Sequence, residues 1–81
     1  MAKARVYITL KQGILDPQGK TLQRALKSMG YDEVEDLRVG KYMEISLGGD
    51  DVTRVRERLS EMCESLLANP IIEDYRMEVE A

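Results

Sequence analysis

The sequence predicts an α+β fold, a two-layer sandwich in which two helices lie on one face of a mainly antiparallel sheet. Three observations predict it. Four segments alternate apolar and polar residues. Two longer segments carry apolar residues at helical spacing. The segments follow one another as strand, helix, strand, strand, helix, strand. At 81 residues the chain is read as one domain, residues 1–81, near the small end of what folds alone. So small a chain buries a small core, and a stable partner, often a second copy, is expected.

The first strand is ARVYITLK, with Val6, Ile8 and Leu10 on one side and Arg5, Tyr7, Thr9 and Lys11 on the other. A loop follows, and a helix starts inside QGILDPQGKT. Asp16 can accept hydrogen bonds from free N–H groups of the first turn, and Pro17 fits the first helical position because its missing N–H is not needed there. Leu22, Ala25, Leu26 and Met29 then recur at helical spacing, and Gly30 suits the left-handed position past the end. YDEVEDLRV reads as a second strand, clearest from Val34 or Leu37 onward, and YMEISL as a third. GGDD breaks the pattern, with Asp50 as the expected cap of a second helix. Val52, Val55, Leu59, Met62, Cys63, Leu66 and Leu67 form the stripe of that helix. Asn69-Pro70 ends it, since the residue before proline is pushed out of helical geometry. IIEDYRMEVE is the fourth strand, with Ile71, Tyr75, Met77 and Val79 on its odd-numbered face. This order is ferredoxin-like. The helix-free face is expected to carry Arg5, Tyr7, Thr9, Arg38, Tyr42, Glu44, Arg76 and Glu78.

The connection at Gly40-Lys41 poses a parity problem. A two-residue hairpin would set Val39 opposite Tyr42 and send the apolar sets of the two strands to opposite faces. A three-residue loop or a bulge would set Val39 opposite Met43. One long bent strand through Gly40, reaching into a neighbouring subunit, is the third solution. The odd connection and the long strand are preferred to the tight hairpin.

Composition excludes several classes. Charged residues are 33% and the hydrophobic set 43%, ordinary for a soluble domain, and a net charge of -3 argues against a nucleic-acid backbone as partner. No apolar run approaches ~18 residues, and MAKARVYITL enters a strand with charges inside it, so neither a membrane span nor a signal peptide is expected. Cys63 is the one cysteine. A cytoplasmic location is therefore expected. The chain has no His, which removes Cys–His catalysis and zinc sites of the Cys/His type. Cys63 lies on an apolar stripe between Glu61 and Glu64, an environment for a buried thiol rather than a reactive one. Gly40-Lys41 lacks the flanking residues of a phosphate-binding P-loop. In RVRERL, Arg54, Arg58 and Glu61 can pair along a helix surface. No residue is assigned a catalytic, cofactor-binding or metal-binding role. Two relatives of the topology remain as alternatives. An RNA-recognition module would need aromatic motifs that are absent here, and a small-ligand-sensing regulatory domain would need a pocket signature.

Three stretches carry a resemblance: VYITLKQGILDPQGKTLQRALKSMGY, EVEDLRVGKYMEISL and CESLLANPIIEDYRMEVE. Within them, Leu15-Asp16-Pro17-Gln18-Gly19, Arg38-Val39-Gly40-Lys41-Tyr42, and Leu67-Ala68-Asn69-Pro70 followed by Glu73-Asp74-Tyr75 are the most specific pieces. Together they resemble the PurS family, the small subunit of phosphoribosylformylglycinamidine (FGAM) synthase, over nearly the whole chain. The resemblance implies a ligase of de novo purine biosynthesis. That enzyme converts formylglycinamide ribonucleotide, ATP and glutamine to formylglycinamidine ribonucleotide, ADP, phosphate and glutamate. It further implies a homo-oligomer, a dimer or dimer of dimers, that bridges a glutaminase subunit and a large synthetase subunit and supports ammonia transfer. ATP and Mg are then expected on the synthetase subunit, with no cofactor in this chain. Candidate partner contacts are Asp16, Pro17, Gln18 and Gly19; Arg38, Gly40, Lys41 and Tyr42; and Asn69 and Pro70. Folding roles compete at each, and Arg38 and Lys41 are the residues of which the fold asks least.

Overall fold

The computed structural model describes residues 2–80. Its elements are strand β1 (Ala2–Leu10), helix α1 (Pro17–Ser28), strand β2 (Gly40–Leu47), helix α2 (Val52–Met62), a π-helical turn (Cys63–Leu67) and strand β3 (Glu73–Glu80). The α+β class and the antiparallel sheet agree with the sequence reading. β1 is the central strand and pairs antiparallel with both others, so that Val6 stands opposite Met43 on one side and Met77 on the other. This register gathers the apolar sets of all three strands on one face. Ala4, Val6 and Ile8 are buried at its centre, with Met43, Ile45 and Leu47 on one flank and Tyr75, Met77 and Val79 on the other.

α2 covers that face through Leu59 and Cys63, both fully buried. Its cap is Asp51, whose carboxylate accepts from the N–H groups of Thr53 (3.0 Å) and Arg54 (3.4 Å). The expected cap, Asp50, is one residue early, because capping requires the residue directly before the first helical one. Beyond Met62 the helix widens. Ala68 N–H donates to the Cys63 carbonyl (3.0 Å), spanning five residues instead of four. The extra residue shifts the phase of the stripe. Ala68 is buried, while Leu66, expected on the core side, is 83% exposed.

The expected strand over 31–39 is not formed. Its polar groups go to α1 instead. Tyr31 N–H donates to the Leu26 carbonyl (3.0 Å), Gln23 Nε2 donates to the Glu35 carbonyl (2.9 Å), and Val39 N–H donates to Asp16 (2.8 Å). The segment thus runs back along α1 and enters β2 directly at Gly40, which pairs with Thr9. Neither a tight hairpin, an odd-length loop nor one long strand through Gly40 exists, since β2 begins at Gly40, and Val39 faces neither Tyr42 nor Met43. The parity conflict disappears because the two segments never pair. In the ferredoxin-like arrangement the first strand lies between the third and the fourth, with the second outside the third. The observed order β2-β1-β3 is that arrangement without its outer strand. Among the described residues, the outer edge of β2 therefore has no strand beside it.

α1 itself contributes no side chain to the described core cluster. Leu22 is 49% and Met29 68% exposed, so the stripe that predicted the helix faces outward within one copy. The molecule is accordingly long, 49 × 24 × 14 Å. Two further expectations are corrected. Arg38 lies in the returning segment and not on the sheet. Ile71 lies in a turn and is 81% exposed, because the Asn69 side chain accepts from Ile71 N–H (3.1 Å) and the Asn69 carbonyl from Glu73 N–H (2.7 Å), delaying β3 to Glu73.

Truncating Leu59 to Ala should cost about 2–4 kcal/mol and lower the thermal midpoint by roughly 10 °C or more. Leu66→Ser, which a regular helix would make equally damaging, should stay within about 0.5 kcal/mol. Calorimetry on the two variants checks the phase shift.

Candidate functional site

Asp16 ends the loop after β1 in extended backbone (φ -111°, ψ 94°). Its Oδ1 accepts from Gly19 N–H (2.9 Å), capping α1, and its Oδ2 accepts from Val39 N–H (2.8 Å), at the entrance to β2. The residue is 9% exposed. The bond from Gly19, then that from Val39, and to a lesser degree the Arg38 charge, hold its carboxyl below the usual range against the opposing effect of desolvation. Pro17 occupies the first helical position, as expected. Gly19 is where the returning segment crosses the helix. A Cβ there would collide with the Leu37 carbonyl oxygen and lie 2.9 Å from the Asp16 carboxylate.

Between this corner and the sheet lies a cavity of about 240 Å³ lined by Thr9, Asp16, Gln18, Val39, Lys41 and Glu73, among others. Gly40 also lines it, and its role is close approach. A Cβ there would strike the Ile8 carbonyl oxygen and stand 2.9 Å from Thr9 Cγ2. Lys41 Nζ is 4.0 Å from the Glu73 carboxylate, whose other oxygen accepts from Asn69 N–H (2.7 Å). The structure thus brings Asp16, Pro17, Gln18, Gly40 and Lys41 to one cavity, with Gly19 beneath it and Asn69 joined through Glu73. Pro70 lines a separate cavity with Lys11, Glu64 and Asp74. Arg38 Nη2 donates to the Lys11 carbonyl (3.2 Å) beside a third. Tyr42 follows Lys41 in the strand and so points to the opposite face.

That helix-free face carries a network the sequence reading did not resolve. The Tyr7 and Tyr42 rings stand 5.1 Å apart, and the Arg76 guanidinium lies 4.2 Å over the Tyr7 ring. Tyr7 Oη donates to Glu78 (2.6 Å), Arg5 pairs with Glu80 (2.8 Å), Lys3 with Glu44 (3.2 Å) and Lys11 with Asp74 (2.6 Å). The hydrogen bond to Glu78, with some burial, raises the Tyr7 pKa. Hydrogen bonding and charge lower Glu80 and raise Arg5. All four pairs run diagonally between neighbouring strands, so only the register could have revealed them.

Burial, then the charge of Glu64, pushes the Cys63 thiol up, away from the nucleophilic thiolate. Among the described residues no group of three or more His, Cys, Asp or Glu is arranged to hold a metal.

The sequence profile described as "PurS: Phosphoribosylformylglycinamidine (FGAM) synthase" matches residues 3–81. The chain belongs to the PurS family. It is 54% identical to the phosphoribosylformylglycinamidine synthase subunit PurS of Bacillus subtilis, over 99% of this chain and 94% of that one. Its fold is similar to PurS of Methanocaldococcus jannaschii, described as one of the subunits of formylglycinamide ribonucleotide amidotransferase in the purine biosynthetic pathway. The TM-score is 0.87 at 44% identity, over 99% and 96% of the two chains. It is also similar to a chain in the structure of PurLQS from Thermotoga maritima, with TM-score 0.86 and 25% identity over 99% of each.

Two outcomes follow from the corner at Asp16. Gly19→Ala should cost about 1–3 kcal/mol, because its Cβ meets backbone that cannot swing aside, whereas Gly48→Ala, with open space around it, should be close to neutral. Denaturant titration of both checks this. Because the folded pKa of Asp16 lies below its unfolded value, its stabilising effect is complete above about pH 4 and disappears as pH falls through the lower folded value. Acid unfolding of Asp16→Asn should accordingly be shallower in that window than that of the unaltered chain.

Proposed function

We propose that this chain is the non-catalytic small subunit of FGAM synthase, joining the glutaminase and synthetase subunits and supporting passage of ammonia between them. The observation that carries the reading is the likeness, over 99% of both chains, to a chain in the PurLQS structure. In this reading, ATP and Mg belong to the large synthetase subunit, which activates the amide oxygen of formylglycinamide ribonucleotide for displacement by ammonia. The glutaminase subunit releases that ammonia. The small subunit works in the cytoplasm; no helix among the described residues is long and apolar enough to cross a membrane. It contributes surface only. Lys41 is the proposed contact with the large subunits, supported by the 64% exposure of its side chain; Arg38 is proposed with it, although its guanidinium also serves the fold by donating to the Lys11 carbonyl. Tyr42 is proposed as a contact on the opposite face.

We also place self-association here, with a second copy as occupant of the surfaces one copy leaves uncovered. The α1 stripe around Leu22 and Met29 is apolar and exposed, and the outer edge of β2 lacks a strand. A sheet edge and an apolar helix face are the groups that a second copy can satisfy.

Lys41→Glu reverses the charge beside Glu73 and should weaken assembly with the two large subunits about ten-fold or more, with the isolated fold unchanged by circular dichroism. Size-exclusion chromatography and affinity measurement with both partners, in the presence of glutamine and ADP, read the effect. Unchanged assembly removes Lys41 from the interface. Glutaminase or synthetase turnover by this chain on its own would overturn the non-catalytic reading. Stabilisation of the isolated chain against heat by a purine, a nucleotide or an amino acid would favour a ligand sensor instead.

A further inference from the structure

α1 and the segment that returns along it form an arm. The arm is tied to itself by Gln23 to the Glu35 carbonyl (2.9 Å) and Tyr31 N–H to the Leu26 carbonyl (3.0 Å). Its helix adds no side chain to the described core cluster. Polar contacts at its root, more than core packing, therefore set its direction. The Arg38 guanidinium reaches the Lys11 carbonyl at 3.2 Å, and the Asp16 carboxylate serves two elements at once. One of its oxygens takes Gly19 N–H at the start of α1, at 2.9 Å, and the other takes Val39 N–H at the entrance to β2, at 2.8 Å. Both bonds are to an ionised acceptor, the stronger kind, and the residue is buried.

We propose that Asp16 is a positioning residue for self-association. As a two-acceptor pin it holds the apolar side of α1 in the direction that a second copy must meet. The proposal rests on the reading that this chain self-associates. It also goes beyond capping, and the two roles separate chemically. Asparagine caps helices about as well as aspartate. It has one acceptor oxygen, however, and its NH₂ group can only donate. Asp16→Asn therefore keeps the bond from Gly19 and sets two donors against each other at Val39. A cap requires one acceptor; a pin requires two.

The experiment is sedimentation equilibrium on the full chain and on Asp16→Asn, Asp16→Ala and Leu22→Glu, with amide hydrogen exchange at Gly19 and Val39 by NMR. The expected result has three parts. Leu22→Glu weakens self-association. Asp16→Asn weakens it about ten-fold or more, the loss corresponding to one charge-assisted hydrogen bond, and approaches Asp16→Ala. In the asparagine variant the Val39 amide loses protection, while the Gly19 amide and the amides of β1 keep theirs, which shows that the sheet is intact. Self-association by Asp16→Asn equal to that of the unaltered chain, with Leu22→Glu dissociated, overturns the pin and leaves self-association standing. An unaltered chain that is monomeric at all concentrations overturns both. Asp16→Asn that weakens association with Val39 still protected also overturns the pin.

Discussion

Two N–H groups converge on one carboxylate at Asp16, and the path of half the chain follows from it. The bond from Gly19 starts α1 at Pro17, and the bond from Val39 holds the end of the returning segment against that first turn. Residues 31–39 could otherwise satisfy their backbone along the outer edge of β2, where the topology has room for a strand. With Val39 taken by Asp16 and Glu35 by Gln23, the segment belongs to the helix instead. Gly19 makes this possible, since any side chain there would strike the Leu37 carbonyl. The open edge, the outward α1 stripe and the length of the molecule are consequences of that one corner.

The two faces of the sheet then differ in what they offer. The helix-free face is internally neutralised: the cations of Lys3, Arg5 and Lys11 each meet a carboxylate. Such exposed pairs add little stability singly, but among the described residues they balance the cations of this face. What the face does present is Tyr7, Tyr42 and Arg76 stacked together, the residue types that dominate the energetics of protein interfaces. The other face ends in the cavity beside Lys41. Successive residues of one strand, Lys41 and Tyr42, therefore address different surfaces, a suitable arrangement for a subunit that contacts more than one neighbour.

Much of this was legible in the sequence where local rules dominate. The alternation in β1, the Asp16-Pro17 helix start and the stripe from Val55 to Cys63 all follow from period, capping and size, and the structure places them as read. The failures share one physical origin, which is that a nonlocal partner decides. YDEVEDLRV alternates like a strand, but a strand exists only if its hydrogen bonds find another, and here α1 takes them. Leu66 fits a period of 3.6 until the widened turn at Cys63 inserts a residue. Ile71 fits the parity of β3 until Asn69 ties up the turn. At the candidate site, Asp16, Gly40 and Lys41 could be named from their stretches, but their meeting at Glu73 depends on the β1 register with both neighbours. Individual contacts with other subunits are written in the surfaces of those subunits as much as in this sequence.

The small core explains why cover from other chains would stabilise such a protein. Among the described residues, the buried hydrophobic positions are Ala2, Ala4, Val6, Ile8, Val55, Leu59, Cys63 and Ala68, and three of these are alanines. Apolar burial stabilises in proportion to area, so this core supplies little against the chain entropy it must offset. Met43, Ile45 and Leu47 on the flank are covered only in part, on the same side of the sheet as the free edge of β2. Any chain that covers them adds to the core it touches, and binding to the folded state raises its population by mass action. Assembly and folding are then linked quantities. On the proposed pin, a change at the Asp16 corner moves both, while a change on the neutralised Tyr7–Tyr42–Arg76 face leaves the core as it is.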